Sequence, residues 1–284
     1  MNDVATLVSP GELRALQARG GVLVVDCRAE LGDAEAGERA HAATHVPGAV
    51  HAHLERDLSD PSKTGLGRHP LPDASAFSAV LSRWGYEPRL DVVAYDAAGG
   101  ALAAARLWWM LRLAGHARVA VLDGGFPAWR EEGLPLEAGT VAREATAVQV
   151  AFDPAGVVWY DELEALRARG DLLLVDARAT PRFRGEVEPL DPVAGHVPGA
   201  RNRPFQLNLA ADGRFRSPQD LRGDFATLLG DHDPRGVVHM CGSGVTACHN
   251  LLAMEHAGLA GSRVFAPSWS GWVDDRSRPV ATGD

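Results

Sequence analysis

Val237-Val-His-Met-Cys241-Gly-Ser-Gly-Val-Thr246-Ala-Cys-His-Asn-Leu-Leu252 passes from a short apolar run, through two closely spaced glycines, into an apolar pattern of helical period. The order predicts a buried strand, a tight turn and a helix, with Cys241 directly after the strand. Loops at the carboxyl ends of parallel strands are where α/β proteins place their sites. Gly242 and Gly244 let residues 242–246 curl so that several backbone N–H groups converge, and the helix N-terminus adds its dipole. Such a nest holds an anion. For a cysteine at its rim it favours the thiolate, the form that attacks or accepts sulfur. A cysteine that only fills a core has no need of the two glycines.

The same succession occurs twice. Val22-Leu-Val-Val-Asp26-Cys-Arg28 is echoed by Leu172-Leu-Leu-Val-Asp176-Ala-Arg178, and His45-Val-Pro-Gly-Ala49 by His196-Val-Pro-Gly-Ala200. Val92-Val-Ala-Tyr-Asp96 lines up with Val237-Val-His-Met-Cys241, and Leu122-Asp-Gly-Gly-Phe-Pro-Ala-Trp129 with Phe265-Ala-Pro-Ser-Trp-Ser-Gly-Trp272. The offset shrinks along the chain, as it does when a duplicated unit loses residues in its surface loops. Apolar runs at 22–25, 92–95 and 118–122, then 172–175, 237–240 and 263–266, alternate with helical patterns such as 99–114 and 246–258. Each half therefore reads as an α/β domain, a parallel sheet flanked by helices.

With 284 residues the chain is long enough for two cores. The expected division is a first domain at 1–139, a linker at 140–156 that ends in Asp153-Pro-Ala-Gly156, and a second domain at 157–284. Asp96 stands where the second half has Cys241.

A charged fraction of 23% against 46% hydrophobic residues belongs to a folded protein, and the net charge of −9 speaks against general binding to nucleic acid or an anionic membrane. No stretch reads as a secretory signal or a membrane span. Three cysteines with no Cys-x-x-Cys pair give neither a disulfide framework nor a metal site. A reducing, cytoplasmic setting is the expectation.

Cys241-Gly-Ser-Gly-Val-Thr-Ala247 resembles the active-site loop of the 3-mercaptopyruvate sulfurtransferase branch of the rhodanese family. The resemblance runs along nearly the whole chain, through His45-Val-Pro-Gly, Gly195-His-Val-Pro-Gly, Arg106-Leu-Trp-Trp-Met110 and Leu122-Asp-Gly-Gly. It implies tandem rhodanese-like domains of which only the second is catalytic, in agreement with Asp96, which cannot carry a sulfur, and a two-step transfer. Cys241 takes sulfur from a small anionic donor, the persulfide is held by Gly242, Gly244, Val245 and Thr246, and cyanide or a thiol, a thioredoxin-like reductant among them, removes it. No metal or organic cofactor is required.

Further roles follow from the same resemblance. Arg182, in Ala179-Thr-Pro-Arg-Phe-Arg-Gly185, matches the family segment whose first arginine binds substrate, with Arg184 in reserve; the alternative is an ion pair with Glu186 or Glu188. The family's second carboxylate-binding arginine is missing from Glu186-Val-Glu-Pro-Leu-Asp191, which keeps thiosulfate open as the donor. Ser243, His69 and Glu55 match a hydrolase-like triad that polarises mercaptopyruvate, with His51 and His53 competing for the histidine role. Thiosulfate-preferring relatives carry basic residues after the cysteine, where this chain has Gly242 and Ser243.

Phosphatases on this scaffold need an arginine six residues after the cysteine, and Ala247 stands there. A persulfide carrier without turnover is the rival from another class. His45, His196 and His249 read as structural, Cys248 as core, and Trp269 as a wall of the active-site cleft. Asp26 with Arg28, and Asp176 with Arg178, are expected to tie loops together.

Overall fold

Among the described residues ten short strands form two sheets of five, and every pairing within them is parallel. The computed structural model describes residues 5–170 and 172–284. The first sheet holds β1 (Leu7–Val8), β2 (Val22–Asp26), β3 (Val50–His51), β4 (Asp91–Tyr95) and β5 (Val119–Leu122), in the order β1-β5-β4-β2-β3. The second holds β6 (Val157–Val158), β7 (Leu173–Asp176), β8 (Arg201–Asn202), β9 (Val237–Met240) and β10 (Arg263–Phe265), in the order β6-β10-β9-β7-β8. The two orders correspond strand for strand, as a duplication requires. β4 and β9 are the central strands, and Asp96 and Cys241 are the residues that follow them.

The expected central strands are found to within a residue at their ends. The edge strands β1, β3, β6 and β8 have two residues each, too few to carry any periodicity. The pattern at 99–114 becomes a helix only over Ala104–Leu113, because residues 97–103 first wrap around the Asp96 side chain.

Two compact units result. Unit 1 runs to Asp60 and adds Leu71–Asp153 and Ala211–Phe215; unit 2 comprises Pro61–Pro70, Pro154–Ala210 and Arg216–Asp284. In unit 1 the core gathers Leu13, Val24, Val93, Tyr95, Leu122 and Trp129. In unit 2 it gathers Leu163, Leu174, Met240, Phe265, Trp269 and Trp272. Residues 141–153 form no regular structure, yet unit 1 holds them: Thr146 N–H donates to Ser82 O (3.0 Å), and Asp153 N–H to Leu113 O (2.8 Å). Among the described residues no helix is long and apolar enough to cross a membrane.

The repeat extends to single hydrogen bonds. Arg28 grips Asp26 through Nε and Nη2 and donates to Thr44 O, while Arg178 grips Asp176 in the same way and donates to Gly195 O. Both pairs are buried and both clamp the chain before a His-Val-Pro-Gly turn. Each turn in turn pairs with its unit's tail, His45 with Glu137 and His196 with Ala281. The two histidines also bond backbone carbonyls through Nδ1, of His41 at 2.7 Å and of Phe183 at 2.8 Å. Trp129 and Trp272 donate Nε1–H to Pro135 O and Pro279 O.

Burial works against the charge on Asp26, but hydrogen bonds from His41 and Arg28 outweigh it and hold the carboxyl below its ordinary range. Stability drawn from a depressed carboxyl is present above the unfolded value, about 3.9, and is lost as pH falls toward the folded value. Urea midpoints of unit 1, followed by a probe within it, are thus expected to fall below about pH 4. Asp26→Asn should cost about 3 kcal/mol or more at neutral pH, since it strands a buried guanidinium.

Candidate active site

Cys241 is held from three directions. Its N–H donates to Ser268 Oγ (3.2 Å), and the Ser268 hydroxyl donates to Phe265 O (3.0 Å). Its carbonyl accepts from Trp269 N–H (3.0 Å), and the Gly242 carbonyl from Ser270 N–H (2.8 Å). The loop is thereby docked on the start of the helix Ser268–Asp274. Inside the loop, Gly244, at φ 79°, turns its N–H onto Cys241 Sγ at 3.2 Å. An N–H aimed at sulfur stabilises negative charge there. Thr246 directly precedes the helix Ala247–His256, and the Cys248 thiol on that helix donates to Gly244 O (3.4 Å). That bond makes Cys248 a brace of the loop.

The counterpart loop in unit 1, two residues longer before its helix, is folded around a carboxylate. Asp96 Oδ1 accepts from the N–H groups of Ala98 (2.8 Å) and Gly100 (2.9 Å). Oδ2 accepts from Leu102 (3.0 Å), Ala103 (3.1 Å) and Ala104 (3.2 Å). Five backbone donors thus converge on one fully buried carboxylate. Its oxygens stand two bonds from Cβ, the distance at which a cysteine persulfide carries its outer sulfur.

Ser268 and Gly125 hold equivalent places after β10 and β5. Both have left-handed backbones, φ 53° and 59°, and among the described residues Ser268 is the one non-glycine with positive φ. A Cβ on Gly125 would stand 2.3 Å from Asp96 O, so unit 1 needs glycine there. Unit 2 accepts the strain of a left-handed serine and gains the hydroxyl that fixes Cys241.

Residues 61–70 complete the site within unit 2. Tyr160 Oη donates to Gly65 O (2.7 Å), and burial pushes this phenol up to about 12, so it stays a donor. Arg68 N–H donates to Ser270 Oγ (3.1 Å), beside Gly67 at φ 84°. This latch carries His69 to Ser243, whose Oγ shares a 2.7 Å hydrogen bond with His69 Nδ1; both residues are buried. Arg182 Nη2 donates to Glu188 Oε1 (2.7 Å) and Asp191 Oδ2 (3.3 Å). Burial raises Asp191 above the usual carboxylate range, against the nearby Arg68. Glu188 is also buried, but hydrogen bonds from Arg182 and from backbone N–H groups bring it below that range.

A model of the rhodanese-like domain matches residues 9–132 and 160–275. The chain belongs to the rhodanese family. It is 46% identical to a probable 3-mercaptopyruvate sulfurtransferase of Pseudomonas aeruginosa over 99% of both chains. To a putative thiosulfate sulfurtransferase, SseB, of Mycobacterium tuberculosis it is 41% identical, over 98% of this chain and 97% of that one. Among solved structures, a 3-mercaptopyruvate sulfurtransferase from Leishmania major superposes with a TM-score of 0.83 at 32% identity, over 95% of this chain and 74% of that one.

Of the expected site residues, Cys241, Gly242, Ser243, Gly244, Val245, Thr246, His69 and Arg182 lie in unit 2. Glu55 belongs to unit 1, exposed on the helix Leu54–Asp57, where its N–H donates to His53 Nδ1. Arg184 pairs with Asp284. His53 and His51 are in unit 1. His249 is fully buried and bonded to Asn208, and burial pushes His239 down to about 3, which keeps it neutral near the site. Cys27 is fully buried with its thiol pushed well up by burial and the surrounding acids, a poor nucleophile.

Trp269 corrects an expectation: it is no cleft wall. Its indole is fully buried in the unit 2 core, Nε1 donates to Val193 O (2.9 Å), and Arg178 stacks on it at 4.6 Å. Trp269 meets the loop only through its backbone N–H, whereas Ser268 meets it through its side chain. Neither was singled out from the sequence, since a left-handed serine has no local signature. Ser268→Ala keeps the strain and loses the hydroxyl, whereas Ser268→Gly relieves the strain. Alanine is expected to be the more destabilising in urea unfolding by about 1 kcal/mol.

Proposed function

We propose that the chain is a sulfurtransferase that moves sulfur from 3-mercaptopyruvate, through a Cys241 persulfide, to cyanide or a thiol acceptor. The single observation that carries this reading is the Asp96 carboxylate of the repeat, seated on five N–H groups where a persulfide's outer sulfur would lie. A loop of the same descent at Cys241, with Gly244 N–H already on Sγ, suits a sulfur anion. Unit 1 has its own carboxylate in that seat and serves as the non-catalytic domain.

In the first step the Cys241 thiolate attacks the donor's sulfur. The S–S bond forms, the donor's C–S bond breaks, and its electron pair leaves on carbon as the enolate of pyruvate, which takes up a proton. Ser243, bonded to His69, is suited to donate a hydrogen bond to the keto oxygen as charge develops there. Arg182 holds the carboxylate. Glu55 is the proposed acid behind His69, on the pattern of the sequence. In the second step cyanide or a thiol, including that of a thioredoxin-like reductant, attacks the outer sulfur and releases the Cys241 thiolate.

Thiosulfate is the second reading of the donor, with sulfite leaving as the S–S bond breaks. The absence of a second arginine from Glu186–Asp191 and the SseB relative favour it. Transfer to cyanide from both donors, with Cys241→Ser, Ser243→Ala and Glu55→Gln, tests the scheme. Cys241→Ser should abolish transfer. Ser243→Ala should cut kcat with mercaptopyruvate by about 100-fold and leave thiosulfate within about 3-fold. Higher kcat/KM with thiosulfate would move the assignment to that donor, and an unchanged Glu55→Gln would remove Glu55 from the scheme.

A further inference from the structure

Two guanidinium groups converge on the residue beside Cys241. A Cβ on Gly242 would stand 3.0 Å from Arg68 Nη2 and 3.6 and 3.7 Å from Arg182 Nη1 and Nη2. They arrive from different parts of unit 2, Arg68 on residues 61–70 and Arg182 on the helix Thr180–Arg184. Asp191, whose side chain is 3% exposed, joins them by accepting from Arg68 Nη1 and from Arg182 Nη2. Glu188, equally buried, takes Nε and Nη2 of Arg182.

These bonds fix orientation. Asp191 is held by Arg68 through Nη1, while Nη2 of the same group points to Gly242; Arg182 is held through Nε and Nη2, while Nη1 is its nearest atom to that glycine. Side-chain exposures of 32% for Arg68 and 19% for Arg182 leave both open to a small solute. A planar carboxylate or a sulfonate suits two such forks. The glycine is part of the arrangement, since any side chain at 242 would meet both groups.

We propose that Arg68 is the second guanidinium of the donor site and, with Arg182, binds the anionic end of the sulfur donor. Asp191 acts as the positioning residue that couples the two. Taking a sulfur donor as the ligand rests on the sulfurtransferase reading above. The stretch Glu186–Asp191 brings acids to this site, and the second positive group comes from a segment distant in sequence.

The test is equilibrium titration of Cys241→Ser protein, which cannot accept sulfur, with 3-mercaptopyruvate, thiosulfate and pyruvate, in parallel with Arg68→Gln, Arg68→Lys and Arg182→Gln on that background. Arg68→Gln should weaken binding of all three anions at least 10-fold, as Arg182→Gln does, and Arg68→Lys should fall between. In the active protein Arg68→Gln should raise KM by a similar factor with kcat within about 3-fold. Arg68→Gln protein that binds the anions as tightly as its parent overturns the proposal, and so does a parent that binds none of them. An active-site cysteine that never takes sulfur, beside anion binding that still depends on Arg68, would sink the sulfurtransferase reading and leave this site standing.

Discussion

A strand that ends in a tight turn at a helix N-terminus leaves several backbone N–H groups facing one small volume, and a negative charge is the cheapest way to satisfy them. Both halves of this chain are organised around that constraint. In unit 1 the answer is internal, the Asp96 carboxylate on five donors. In unit 2 the residue in its place is Cys241, whose Sγ accepts from the Gly244 N–H.

Around that loop the packing is arranged to keep the backbone in place. The helix Ser268–Asp274 takes the carbonyls of Cys241 and Gly242, and Ser268 adds a hydroxyl at the expense of a left-handed backbone. The same helix takes residues 61–70, which is how Arg68 and His69 come to lie beside a cysteine far away in sequence. Deeper in each unit, the Asp26–Arg28 and Asp176–Arg178 clamps fix the chain just ahead of the His-Val-Pro-Gly turn. The strained backbone at Ser268 is thus placed where it meets the Cys241 loop.

Much of this was legible in the sequence, for identifiable reasons. The central strands and the repeat were visible because apolar runs and paired motifs are local signals, and Cys241 stood out because two glycines after a strand are hard to explain by packing. The Ser243–His69 bond was within reach only through resemblance, since residues 61–70 are irregular and no period tells where such a segment docks. Arg68 escaped notice for the same reason. Ser268 was invisible because its left-handed backbone shows only beside Gly125, and Trp269 was misplaced because aromatic residues near a site look alike whether they line it or support it from below.

The most direct test of the central claim is mass spectrometry of the intact protein and its peptides after brief exposure to 3-mercaptopyruvate or thiosulfate without an acceptor. The account requires a gain of one sulfur atom, localised to Cys241, that cyanide removes and that Cys241→Ser protein never acquires. Sulfur found on Cys27 or Cys248, or on no cysteine although donor is consumed, would contradict it.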